Sequence, residues 1–269
     1  MQKRWEHAVI IAREAGNLTL EYFNNPGLVV EQKNDYTPVT AADRKTELLL
    51  RERIVASFPH DAILGEEFPL KQGTSGYRWI LDPIDGTKAF IHGVPLYGTL
   101  IGIEYEGKPV IGVIRLPALN ETLWAMCGKG AWHESSKLAI QPQRARVSKC
   151  NDLKKSLFLT STIMTYQTGG REKAFQEIAQ KSQLVRTWGD AYGYFLVATG
   201  RAEIMIDPVM SVWDAAPFLT ILEESGGRFT DWQGNPTIDG NEGVATNGLL
   251  HDEIIRITKT CLKQGSDKA

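Results

Sequence analysis

The sequence predicts a mixed α/β (α+β) protein of two layered sub-domains that share a cleft. Three observations carry that prediction. Apolar residues recur at helical spacing near the N-terminus, two stretches between residues 98 and 134 alternate as hairpins, and strand and helix signals alternate after about residue 150. No long linker or internal repeat separates the halves, and 269 residues are enough for two closely packed units with ample core. The expected division is 1–147 for an N-terminal α+β sub-domain and 148–265 for a C-terminal α/β one.

The elements follow in order. Residues 3–24 place Trp5, Ala8, Val9, Ala12, Ala15, Leu18 and Tyr22 three and four apart, an amphipathic helix closed by Asn24-Asn25-Pro26-Gly27. A short strand over 28–33 follows. Thr40 reads as an N-cap for a helix over 41–58, whose period runs through Leu48, Leu49, Ile54 and Val55. Residues 62–67 and 77–82 read as apolar strands. Residues 98–117 form a hairpin turning at Glu106-Gly107-Lys108, and 121–134 another turning at Gly128-Lys129-Gly130. Then come a strand in 156–162, a helix over 171–182, a helical segment up to Gly200 and a strand over 202–207. One helix over 213–227 stops at Gly226-Gly227, and 251–263 is the last helix before a frayed tail, KQGSDKA.

Composition excludes several function classes. With 42% hydrophobic and 23% charged residues the chain is an ordinary globular protein rather than a disordered one. Its formal net charge of −2 and scattered Lys and Arg give no footprint for nucleic acid or an anionic membrane. The N-terminal apolar run is too short and too charged for a secretion signal, and no stretch approaches a membrane span. Cys127, Cys150 and Cys261 are odd in number and far apart, so a reducing cytoplasm is expected.

The chemistry lies in carboxylates at the edges of apolar elements: Asp43 after Thr40, Glu66 and Glu67 after Gly65, Asp82 and Asp85 in WILDPIDGTK, and Asp214 after Trp213. Two aspartates three apart at a strand end repel unless a cation sits between them. Oxygen ligands without His or Cys suit Mg2+ or Mn2+ rather than Zn2+. A pair of such ions would clamp a phosphoryl group for in-line attack by water. Pro83 fixes a turn that lets both aspartates face one point and frees the Ile84 carbonyl as a further ligand. Gly86 permits close approach, and Gly86-Thr87 can offer N–H groups to phosphate. Each segment alone has a plainer reading. Thr40-Ala-Ala-Asp43 is equally a capping box, Glu66-Glu67 a solvated loop, and DPIDGT a turn with a helix cap. The chain has no G-x-S-x-G elbow, P-loop or H-E-x-x-H, and His92 reads as packing or hydrogen bonding.

Taken together, GEE at 65–67, DPIDGT at 82–87, WDAA at 213–216 and EESGG at 223–227 resemble the inositol monophosphatase family over nearly the whole chain. The resemblance implies a layered α-β-α-β-α sandwich, a homodimer, and dependence on two or three Mg2+ ions, with Mn2+ as a substitute. It implies metal ligation by Glu66, Asp82, Asp85, Asp214 and the Ile84 carbonyl. It also implies that Asp43 and Thr87 orient the attacking water and that Lys33 lies near it. The substrate is then a small phosphorylated metabolite.

Residues 186–194, RTWGDAYGY, resemble the branch that hydrolyses L-histidinol phosphate. Inositol-specific members carry small residues at the positions of Trp188 and Asp190, and a glutamate where this chain has Asp207. Lys88 in GTKAF leans the same way, although it also occurs in the branch that acts on 3′-phosphoadenosine 5′-phosphate. Histidinol phosphate carries an ammonium and an imidazole, which carboxylates and aromatic faces would recognise. Asp190, Asp207, Trp188, Tyr192 and Tyr194 could supply them, with the tyrosines equally readable as core. Arg186 either contacts the phosphate or braces the pocket. Asp85, Gly86, Thr87 and Asp214 complete the expected substrate contacts, and an inositol-1-phosphate phosphatase remains the alternative.

Overall fold

The computed structural model of the chain describes residues 1–25, 27, 29–32, 38–135, 141–167 and 171–266, with side chains given to residue 260. Lys33 lies outside the described residues. Helix α1 (Gln2–Leu20) is followed by the antiparallel pair β1 (Val30–Gln32) and β2 (Pro38–Thr40), then α2 (Ala41–Ser57). Tyr22 falls in the turn after α1 rather than on its last helical step. Next come β3 (Ala62–Gly65), β4 (Tyr77–Asp85), the five-residue α3 (Thr87–Ile91), β5 (Gly98–Tyr105), β6 (Lys108–Leu116), β7 (Glu121–Met126), β8 (Gly130–Ser135) and β9 (Gln143–Arg144). Strands β3 to β9 make one seven-stranded sheet in chain order, parallel only between β3 and β4. The β5–β6 turn takes left-handed angles at both Glu106 (φ 50) and Gly107 (φ 75), the twist that a two-residue hairpin needs.

After residue 150 come β10 (Leu157–Leu159), α4 (Glu172–Lys181), β11 (Leu184–Arg186), α5 (Asp190–Ala198), β12 (Ile204–Asp207), α6 (Val212–Ala215), α7 (Phe218–Ser225), β13 (Arg228–Thr230), β14 (Gly243–Thr246) and α8 (His251–Ser266). A second sheet, ordered β11-β10-β12-β14-β13, is parallel on its β11-β10-β12 side and antiparallel beyond.

Strand alternation sorts these elements into five layers. Trp79, Leu81, Ile101 and Val113 face α1 and α2, whereas Ile80, Leu100 and Ile114 face a middle layer of α5, α6 and α7. From the second sheet Leu159, Met205 and Ala245 meet that same middle layer, while Phe158, Ile204 and Val244 pack beneath α4 and α8. The result is the α-β-α-β-α order. The start of α7 sits unusually close to the first sheet. A Cβ on Gly102 would lie 2.4 Å from Ala216 Cβ, and one on Gly112 would lie 2.2 Å from the Pro217 carbonyl oxygen. Bare backbone at these two positions is what lets the middle layer seat.

Three sequence expectations change. The helix expected over 213–227 is two, because Pro217 has no N–H to give the Trp213 carbonyl and so ends α6. The last helix continues to Ser266, past the start of the expected frayed tail. Strand β4 does not end at Asp82 but passes Pro83 through a register shift and reaches Asp85. Among the described residues no helix is long and apolar enough to cross a membrane, and Cys127 and Cys150 are free.

Candidate active site

The 82–87 turn is held by its own hydrogen bonds. The Ile84 N–H donates to Asp82 Oδ1 at 3.0 Å, Thr99 Oγ1 donates to the Pro83 carbonyl at 2.9 Å, and Thr87 Oγ1 donates to the Ile84 carbonyl at 3.0 Å. The Ile84 carbonyl is thus engaged on one side, with its second lone pair left over. Gly86 adopts φ +80, and a Cβ there would lie 3.1 Å from Asp190 Oδ2, so the turn faces the start of α5 at close range.

Asp214 arrives from the second half on α6. It is the third residue of a capping box, its Oδ2 accepting the Ser211 N–H at 2.8 Å. The break at Pro217 gives this short helix a direction independent of α7. One carboxylate oxygen from each of Asp82, Asp85 and Asp214 lies within 4.8 Å of the others. Glu66, just after β3, joins them in lining a cleft of about 290 Å³ with Ile84, Gly86, Thr87, Lys88, Asp190 and Val209.

The electrostatics of this bracket are those of an acidic cluster short of positive charge. Burial, then Glu66, Asp85 and Asp214, push the Asp82 carboxyl well above the usual carboxylate range. Burial, then Asp190 and Asp214, do the same to Asp85, against which the Ala191 N–H donates a hydrogen bond. Ions of like sign this close are stable together only when protonated or bridged by a cation. The lining supplies oxygen donors without His or Cys, so the residues present fit a hard divalent ion.

That fit predicts a pH-dependent metal response. Raised folded-state values mean that, above the ordinary carboxylate range, the folded chain holds protons which the unfolded chain has released. The stability these acids contribute is present below about pH 4, the unfolded value, and falls as pH rises through the raised ones. A cation must displace those protons. The Mg2+ concentration that gives half the maximal rise in Tm should therefore fall as pH is raised above the ordinary carboxylate range. Comparing each pH with its own chelator-treated control cancels remote groups, such as His251, which burial lowers to about 4. An unchanged midpoint concentration would contradict protonation of the cluster.

Not every expected residue reaches the cleft. Asp43 is buried in the capping box of α2, its Oδ2 accepting from the Thr40 N–H (2.8 Å) and Oγ1 (2.6 Å), and it does not line the cavity. Of its two sequence readings the cap is the one the geometry displays. Arg186 ends the edge strand β11, is exposed, and donates to its neighbour Val185's carbonyl; Trp188 is 40% exposed, and neither lines the cleft.

Asp207 instead lies in an adjoining cavity of about 190 Å³ that shares Asp85, Asp190, Val209 and Asp214 with the first. Burial raises its carboxyl to about 7, although it accepts bonds from the Ser161 N–H (2.9 Å), Ser161 Oγ (2.9 Å) and Tyr194 OH (3.1 Å). Ser161 Oγ in turn accepts the Asp190 N–H at 2.8 Å. Tyr194 is fully buried, stacks on Phe218 and still lines this second cavity, whereas Tyr192 packs on the core.

Sequence reasoning passed over Ser161 and Glu47, and took Lys88 only as a mark of the branch, not as a residue of the cleft. Glu47 has no exposed surface. It accepts the Glu67 N–H at 2.7 Å and Arg51 Nε at 2.7 Å, and so fixes the Gly65-Glu66-Glu67 loop. Its place on the helical period, one turn beyond Asp43, was the available signal.

Comparison with known proteins agrees with this geometry. A model of the inositol monophosphatase family matches residues 1–263. A histidinol-phosphatase of Chlorobaculum parvum is 41% identical over 249 residues, covering 92% of this chain and 93% of that protein. One of Mycobacterium tuberculosis is 38% identical over 248 residues, covering 92% and 95%. The crystal structure of the extragenic suppressor protein suhB from Bartonella henselae superimposes with a TM-score of 0.87 at 28% identity, covering 94% of this chain and 97% of that one.

Proposed function

We propose, from the premise that this chain belongs to the inositol monophosphatase family of phosphoric monoester hydrolases, that it hydrolyses L-histidinol phosphate to L-histidinol and phosphate with Mg2+. The observation that carries the substrate is the pair of acids beyond the bracket. Asp190 and Asp207 line connected cavities beside Asp85 and Asp214, where an ammonium or imidazolium group would be held. The similarity to two histidinol-phosphatases supports the same reading.

In this reading Glu66, Asp82, Asp85, Asp214 and the free side of the Ile84 carbonyl hold the cation. Bound there, it supplies positive charge for the phosphoryl oxygens and the departing alkoxide. Thr87 orients the nucleophile: its hydroxyl hydrogen is committed to the Ile84 carbonyl, so its lone pairs accept from the attacking water and aim it. Asp190 and Asp207 seat the cationic end of the substrate, and Val209 shields the junction of the two cavities. Asp43 acts at a distance by starting α2, the helix that carries Glu47. The working form is a cytoplasmic homodimer, which sedimentation of the active enzyme would check.

The test is phosphate release from histidinol phosphate, inositol 1-phosphate, fructose 1,6-bisphosphate and 3′-phosphoadenosine 5′-phosphate, with Mg2+ and with chelator. The expected result is a kcat/KM for histidinol phosphate at least about tenfold above the others, the discrimination that one buried charged contact supplies. A higher kcat/KM for inositol 1-phosphate would overturn the substrate.

A further inference from the structure

The lining of the cleft is lopsided in charge. Glu66, Asp82, Asp85, Asp190 and Asp214 are acids, and Lys88 is the one cation among the described residues that line it. A phosphomonoester arrives near neutrality as a dianion, since its second pKa is about 6. Against five acids and that dianion, even two divalent ions would leave three negative charges in excess, and Lys88 removes one of them. Arg186, which sequence offered either to the phosphate or as a brace of the pocket, is on an edge strand and lines neither cavity.

Lys88 is the second residue of α3, next to Thr87, and its carbonyl oxygen lies 2.8 Å from His92 Nδ1, which secures the end of that short helix. The side chain is exposed at the cleft wall. Burial raises the Asp190 carboxyl above the usual carboxylate range, opposed by its hydrogen bond with Ser161 and then by the nearby Lys88 ammonium, which forms no ion pair within 4.0 Å with a described residue. Asp190 stands over Gly86, so Lys88 and Asp190 flank the approach to the bracket from opposite elements.

We propose that Lys88 captures the substrate phosphate, and that Lys88 and Asp190 form an exchange pair selecting an amino-phosphomonoester. Without substrate, each charge answers the other across the cleft. A substrate carrying both an ammonium and a phosphate satisfies both: its ammonium takes Asp190 and its phosphate takes Lys88. A neutral polyol phosphate supplies only half of the exchange and leaves Asp190 facing a second anion. The inference rests on the phosphatase reading and sharpens its substrate class.

Two variants test it, with inorganic phosphate as a binding probe by calorimetry in Mg2+ and with steady-state kinetics on histidinol phosphate. Lys88→Met should weaken inorganic phosphate about tenfold and raise KM by a similar factor while kcat falls less than threefold, and Lys88→Arg should restore both to within about threefold. Asp190→Asn should tighten inorganic phosphate about threefold, since Lys88 no longer faces a competing anion, yet raise KM for histidinol phosphate. Unchanged phosphate binding in Lys88→Met overturns the capture role, and weaker phosphate binding in Asp190→Asn overturns the exchange. Failure of the parent protein to hydrolyse any phosphomonoester would instead sink the functional reading, because the phosphate titrations do not depend on turnover.

Discussion

Asp82→Asn is expected to lower kcat/KM by roughly a thousandfold or more while the chain stays folded, a loss of the order seen when one preorganised electrostatic contact is removed. Asn can keep the one short local bond, because its side-chain oxygen still accepts the Ile84 N–H. What goes is one of the buried like charges that Glu66, Asp85 and Asp214 oppose. The metal-free variant should therefore melt no lower than the metal-free parent, and saturating Mg2+ should raise its Tm far less. Differential scanning fluorimetry with and without chelator, beside a phosphate-release assay, reads both halves. Mg2+-dependent turnover near the parental rate would remove Asp82 from the bracket. A lower chelated Tm would mean that the carboxylate is stabilising rather than repelled.

Glu47→Ala is expected to cost about 3–5 kcal/mol, the range for removing one partner of a buried ion pair, and hence roughly 10 °C in Tm. Arg51, 14% exposed, would lose its carboxylate, and the Glu67 N–H would lose its acceptor. The Gly65-Glu66-Glu67 loop would then be free to drift, and activity should fall by more than the folded fraction does, because Glu66 leaves its place in the cleft. Gly65→Ala should show the same pattern, since its Cβ would lie 2.1 Å from Glu47 Oε1 and push that carboxylate off both partners. Glu47→Gln, which keeps an acceptor, should retain most of the activity. Equal losses in the folded fraction and in total activity for Glu47→Ala would show that the loop does not depend on Glu47.

Local signals were legible and long-range ones were not. Both hairpins were visible because alternation and Gly turns are written in adjacent residues, and so was the Thr40–Asp43 cap, which needs only three residues' spacing. Strands β13 and β14 escaped because three or four residues carry too little period, and only pairing across the sheet makes them strands. The acidic bracket was readable because charge at a strand end is anomalous wherever it occurs. Glu47 was hidden because its meaning lies 20 residues away, at the Glu67 N–H. Ser161 was hidden for the same reason, since its partners Asp190 and Asp207 are 29 and 46 residues on. Arg186 was offered to the phosphate because it stands four residues before Asp190, and the structure places it exposed at the end of an edge strand.

Asp85 belongs to the first sheet, yet its carboxylate is held by a backbone N–H of α5 from the second half, that of Ala191. A main-chain donor is blind to side chains: any residue but proline at 191 can give the same bond. The side chain at 190 can therefore change over generations, among the residues that tolerate its left-handed backbone (φ 52), without that clasp being surrendered. A lineage built on this scaffold is free to experiment with what it recognises while inheriting its reaction centre intact.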